Sequence, residues 1–165
     1  MQVIKKSTVS AIAAVDLADE LISREMIDKA ILPSISMSLD KVYQAHHSGH
    51  SIIELRVPET DLLSLWEIAI SNKTRPTLGL DIGQSVNVKA KGLLANWLSC
   101  CDTLKQAFTI FHENIALLNE AESWAYQEES QRVKLSFAFN SKYTYPVIAV
   151  ERSMVALIAW AEHFS

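Results

Sequence analysis

Apolar residues recur at Ile12, Val15, Ala18, Leu21 and Ile22, the spacing of one helical face, so Val9 to Ile22 reads as an amphipathic helix. Arg24 to Ile31 extends or repeats that pattern. Pro33, which lacks a backbone N–H and crowds the preceding turn, is expected to stop it. Leu39 to His46 predicts another short helix, closed by Ser48-Gly49. Between Ile52 and Val57 the period changes: Ile53, Leu55 and Val57 alternate with Ile52, Glu54 and Arg56, which predicts a short strand.

From Val57 to Asn119 three helical units follow in order, the third made of two consecutive helices. Pro58 suits a first helical turn, and Glu59 and Asp61 suit the positive end of a helix dipole. Behind them Leu62, Leu65, Trp66, Ala69 and Ile70 form an apolar stripe that fades into Ser71-Asn72-Lys73. Pro76 to Ile82 predicts a short helix stopped by Gly83. Gly92 to Cys101 and Thr103 to Leu118 predict two helices split by Asp102, whose carboxylate is expected to cap the second by accepting an unpaired backbone N–H. That second helix carries Leu104, Ala107, Phe108, Phe111, Ile115 and Leu118 on one side. Trp124, Tyr126 and Glu128, then Val133, Leu135, Phe137 and Phe139, alternate on either side of Glu129-Ser130-Gln131, which predicts a β-hairpin. A last helix is expected over Val147 to Phe164, with Met154 to Ala161 apolar nearly all round and buried on several sides. The fold class is therefore α+β: a mostly helical body with a small antiparallel hairpin or sheet, in one domain over 1–165.

Hydrophobic residues make up 49% of the 165 and charged residues 21%, an ordinary folded composition. The net charge of −4, with no basic cluster denser than Lys5-Lys6 or Lys89-x-Lys91, argues against this chain gripping a phosphate backbone by itself. The longest strongly apolar segment, Met154 to Ala161, falls far short of the ~18–20 residues that span a bilayer, so no membrane association is expected. The only two cysteines, Cys100 and Cys101, are adjacent and poorly placed to bridge each other, which points to a reducing, cytoplasmic compartment.

Candidate chemistry is sparse. His46-His47-x-x-His50 resembles a metal cluster, but Gly49 interrupts the helix that would align His46 with His50, and a solvated His-rich loop is the plainer reading. The cysteine pair falls at a predicted helix C-terminus, where the dipole disfavours a thiolate, and Asp102 follows directly. Gly79-x-x-x-Gly83 lacks the Lys-Ser/Thr of a phosphate loop, and no Gly-x-Ser-x-Gly occurs. Catalysis finds no support, and neither a cofactor nor a metal is expected. Trp66, Trp97, Trp124 and Trp160 are many for this length; such rings line apolar pockets or fill gaps between helices.

The order Leu65-Trp66-Glu67, Leu78-Gly79-Leu80, Gly92-Leu93-Leu94 and Thr103-Leu104-x-x-Ala107 resembles the N-terminal, arabinose-binding-type sensing domain of one branch of the AraC transcriptional regulators. The resemblance covers roughly residues 55 to 163. It implies a non-cupin sensor rather than an enzyme, a small organic effector, a homodimer, and DNA contact only through a C-terminal helix-turn-helix domain absent from this chain. That branch continues into further strands before its helix-turn-helix region, so the chain is expected to be a fragment. The family's name is no evidence for a sugar ligand. No ligand motif transfers residue by residue. From residue type alone, Trp97, Cys101, Phe108 and His112 are the expected ligand contacts, since two consecutive helices can converge their faces on one pocket. The competing readings are a haem or gas sensor using His112 or His163, a small enzyme dependent on Cys101 or a histidine, and a purely structural oligomerisation domain.

Overall fold

The computed structural model of the protein describes residues 7–71, 76–85, 92–130 and 132–162. The expectations for Lys5-Lys6, Asn72-Lys73, Lys89, Lys91, Gln131, His163 and Phe164 lie outside the described residues. Within them the architecture is α+β. Strand β1 (Thr8–Ser10) leads directly into α1 (Ala11–Ser23), so the predicted first helix starts two residues late, after Val9 and Ser10 have joined a sheet. A 3-10 turn (Lys29–Ile31) is followed by α2 (Leu32–Ile35) and α3 (Met37–His47). Pro33 does not stop a helix; it occupies the first turn of α2, where its missing N–H costs nothing. Helix α3 ends as expected at Ser48-Gly49. Gly49 adopts φ +81°, its N–H donates to the His46 carbonyl, and the His50 N–H donates to the Ala45 carbonyl, a paired closure that favours glycine.

The strand expected over Ile52–Val57 is displaced. Ile52 to Leu55 instead form a turn held by Leu55 N–H to the Ile52 carbonyl, Ile52 is buried while Ile53 and Leu55 are exposed, and β2 spans Arg56–Pro58. Strands β1 and β2 pair antiparallel with Val9 opposite Val57. The other edge of β1 is occupied by the segment around Asn119, through Ser10 N–H to the Leu118 carbonyl and Glu120 N–H to the Thr8 carbonyl. Arg56 reinforces this junction. Its guanidinium donates to the Thr8 hydroxyl and carbonyl and to the carbonyls of Ala116 and Leu117, satisfying orphan acceptors at a helix C-terminus.

Helix α4 (Glu59–Ser71) buries Leu63, Leu65, Trp66 and Ala69, with Leu62 half-buried and Ile70 exposed, so the predicted stripe is rotated slightly toward Leu63. Helix α5 (Leu78–Gln84) runs through Gly83 rather than stopping at it. Both Gly79 and Gly83 lie against α8, and an added Cβ at either would come within 3.0 Å of that helix. The glycine pair therefore sets a helix–helix distance. Helix α6 (Gly92–Leu98) ends before the cysteines, and α7 (Leu104–Asn114) continues into a 3-10 turn, Ile115–Leu117. The cap of α7 is Thr103, whose hydroxyl accepts from the Gln106 N–H, and not Asp102. The reason is position: Thr103 holds the extended backbone that immediately precedes the helix, and the Asp102 N–H instead donates to the Gln106 side chain.

Strands β3 (Glu122–Glu129) and β4 (Arg132–Phe139) form the predicted hairpin, with Trp124 opposite Phe137 and Tyr126 opposite Leu135. Its apolar face is covered only at the base. Trp124 meets Phe111 and Tyr126 meets Phe108 edge-on, whereas Val133 and Leu135 are exposed. Helix α8 (Val147–Ala161) buries Ala149, Ser153, Leu157 and Trp160. Against the expectation for Met154 to Ala161, Met154 and Ile158 are exposed, as is Val147 at the start of the helix. Buried apolar side chains form two clusters: one around α1, α3, α4 and α5, the other joining α6, α7, the hairpin and the end of α8.

Candidate functional site

A cavity lies between those two clusters. Its volume is ≈ 120 Å³. Residues of both clusters contribute: Val9, Leu17 and Trp66 on one side, Leu98, Phe111 and Trp160 on the other. Trp124, at the base of β3, and Leu157, on the inner face of α8, complete an aromatic and aliphatic wall. Engineered apolar cavities of ~150 Å³ accept benzene, so the space suits a ligand with a single ring or a short aliphatic body.

The polar part of the wall is a chain of hydrogen bonds joining the two halves. Glu59, the first residue of α4 and fully buried, accepts from the Tyr145 hydroxyl at 2.8 Å. That hydroxyl in turn accepts from Asn119 Nδ2 at 3.3 Å. Asn119 Oδ1 is held by the Ala121 N–H, which orients the amide. Glu122 follows: its carboxylate accepts from Trp124 Nε1 at 3.2 Å and from the Ser153 hydroxyl at 3.4 Å, and bonds the Asn119 side chain. Burial pushes the Glu122 carboxyl above the usual range, an effect that the Arg152 charge and these donors oppose without cancelling. Burial likewise raises the Tyr145 phenol, and the nearby Glu59 and Glu122 add to it, so it is a neutral donor at any ordinary pH.

Arg152 lines the same cavity from α8. Its Nε is buried and meets no hydrogen-bond partner, and no described residue accepts from the rest of the guanidinium or forms an ion pair with it. A permanently charged group with five donors is thus held near, but not bonded to, Glu122.

The four residues nominated from the sequence fall elsewhere. Trp97 and His112 are exposed, Cys101 is half-buried, and Phe108 is buried against Phe111 and Tyr126. None of the four lines the cavity; Leu98 on α6 and Phe111 and Ile115, on either side of His112 in the chain, do. The nominated helices are therefore those of the cavity wall, but a different face of each points inward. The Cys101 thiol is raised first by burial and then by Cys100 and Asp102, which opposes thiolate chemistry. His47 of the histidine cluster pairs with Asp19, and among the described residues no group of three or more His, Cys, Asp or Glu is placed to hold a metal ion. Also among the described residues, no helix is long and apolar enough to cross a membrane.

Sequence reasoning missed Asn119, Glu122, Tyr145, Arg152 and Ser153. One signal was present: Glu151-Arg152-Ser153 interrupts an otherwise apolar helix, and polar residues inside such a helix need a local reason.

A helical body with a small hairpin thus holds an aromatic cavity whose wall includes part of a fixed hydrogen-bond network. The chain belongs to the family of the N-terminal arabinose-binding domain of AraC transcription regulators, whose model matches residues 51–164. No curated protein matches the sequence.

Proposed function

We propose that the protein is the effector-sensing part of an AraC-type transcriptional regulator, acting in the cytoplasm, and that its effector is a small organic molecule bound in the cavity between the two clusters. The observation that carries this reading is the position of the cavity. A ligand there touches α1 and α4 on one side and α7, the hairpin and α8 on the other, so it can favour one arrangement of the halves over another. It does so only through its different affinity for the two arrangements. A C-terminal DNA-binding domain would read the shift, and a homodimer would use an exposed apolar face such as that of Met154 and Ile158 on α8.

The test is a thermal-shift screen of organic acids, sugars and amino-acid derivatives, repeated on Ala156→Leu, which fills the cavity without removing any of its polar groups. Hits lost in that variant support the reading. Hits that survive it but disappear in Trp97→Ala or His112→Ala would move the site to the outer faces of α6 and α7, where the sequence nominated it.

A further inference from the structure

Resting on the effector-sensing reading, we propose that the cavity selects a small monocarboxylate with an aromatic or short aliphatic body, its carboxylate held by Arg152. The polar wall has partners for its acceptors but not for all of its donors. Glu122 already accepts from Trp124 and Ser153 and bonds Asn119. Asp16, the other acid lining the cavity, also has a partner within the protein. The carboxylates that line the cavity thus each have partners; the buried Glu151 Oε2, which has none, lies against Gly79 of α5 and not in the cavity wall.

The donors do not all have partners. Arg152 lines the cavity, its Nε is buried without an acceptor, and no described residue accepts from its terminal nitrogens. Buried polar groups in native proteins are nearly always bonded, and one that is not needs an explanation such as a missing ligand atom. The planar fork of a guanidinium matches a carboxylate with two parallel hydrogen bonds, which selects that group over a point acceptor. The rest of the wall suits the remainder of such a ligand. Trp66, Phe111, Trp124 and Trp160 present ring surface, and the ≈ 120 Å³ of space admits one ring or a chain of similar bulk. Sugars fit less well, since a hydroxyl-rich body would set several polar groups against these rings with few free partners.

The probes are benzoate, its neutral isostere benzamide, benzylamine and toluene, titrated into the full chain and followed by tryptophan fluorescence. Benzoate is expected to bind about 10- to 100-fold tighter than benzamide, the increment of a hydrogen-bonded charge at ~1.5–3 kcal/mol. In Arg152→Gln that preference should vanish, while Arg152→Lys should keep part of it. The comparison of probes on the unaltered protein stands even if a variant folds poorly. Equal binding of benzoate and benzamide, tighter binding of benzylamine, or an undiminished preference in a folded Arg152→Gln overturns the carboxylate assignment and leaves the sensing site in place. Failure of all four probes, toluene included, overturns the cavity as a binding site altogether.

Discussion

Replacing Gly79 by alanine opposes two effects of known sign. Alanine is the better helix former, worth up to about 1 kcal/mol over glycine inside a helix. Tertiary packing acts the other way. A Cβ at Gly79 would lie 2.5 Å from the Ile148 carbonyl oxygen and 2.8 Å from Glu151 Oε2, where ordinary contact begins near 3.4 Å. The nearer atom is backbone inside α8 and cannot rotate away, so α8 must retreat by about 0.9 Å, the difference between those distances. Overpacking of a close contact costs ~1–3 kcal/mol, and a backbone obstacle belongs at the upper end. The net expectation is a loss of about 2 kcal/mol, taking ~3 for the clash less ~1 for propensity. Urea unfolding monitored by tryptophan fluorescence measures it. Gly49→Ala is the control, because there nothing lies within 4 Å and the cost is the left-handed φ of +81°, about 1–2 kcal/mol. Asparagine should recover much of the loss at Gly49 and none at Gly79, since it tolerates that dihedral but is larger than alanine. A Gly79→Ala protein as stable as the parent would refute the reasoning, and with it the view that α5 fixes the position of the cavity-lining helix.

Other outcomes follow from the same structure. Thr103→Ala should cost ~0.5–2 kcal/mol through loss of the α7 cap, whereas Asp102→Ala should change stability by less than half of that; thermal denaturation of the two variants distinguishes them. Tyr145→Phe removes the donor to buried Glu59 and should cost ~1–3 kcal/mol in urea unfolding. Because Glu122 is raised in the folded protein, its contribution to stability is fully present below the unfolded carboxyl value near 4.5 and is lost as pH rises through the higher folded value. Glu122→Gln should therefore gain on the parent in urea unfolding as pH rises from 4 toward 8; a constant difference across that range would contradict the raised carboxyl. Phe108→Ala should cost ~3–5 kcal/mol, as the ring is buried between Phe111 and Tyr126.

Periodicity determined most of the longer helices but not Arg24 to Ile31, where it also suggested helix and where turns and a 3-10 segment form. An amphipathic stripe such as Ala107, Phe108, Phe111 and Ile115 has one way to bury itself. The hairpin was legible for the same reason, its alternation placing Trp124 and Phe137 on one face. The order of short motifs from Leu65 to Ala107 carried the family. Local signals failed where a distant segment intervened. Val9 leaves the predicted helix because β2 and the Asn119 segment compete for its backbone, and Gly83 continues a helix because α8 needs the space beside it. The lining of the cavity belongs to this second kind. Which face of α6 and α7 turns inward depends on what packs against them, so Leu98 and Phe111 reach the cavity while Trp97 and His112 do not. Glu59, Asn119, Glu122 and Tyr145 come from three separate stretches of chain, and only the fold brings them into one polar chain, with Arg152 of α8 unbonded beside it at the cavity. Hydrogen-bond chemistry acts over about 3 Å, a distance on which residues far apart in sequence become neighbours only after the helices have packed.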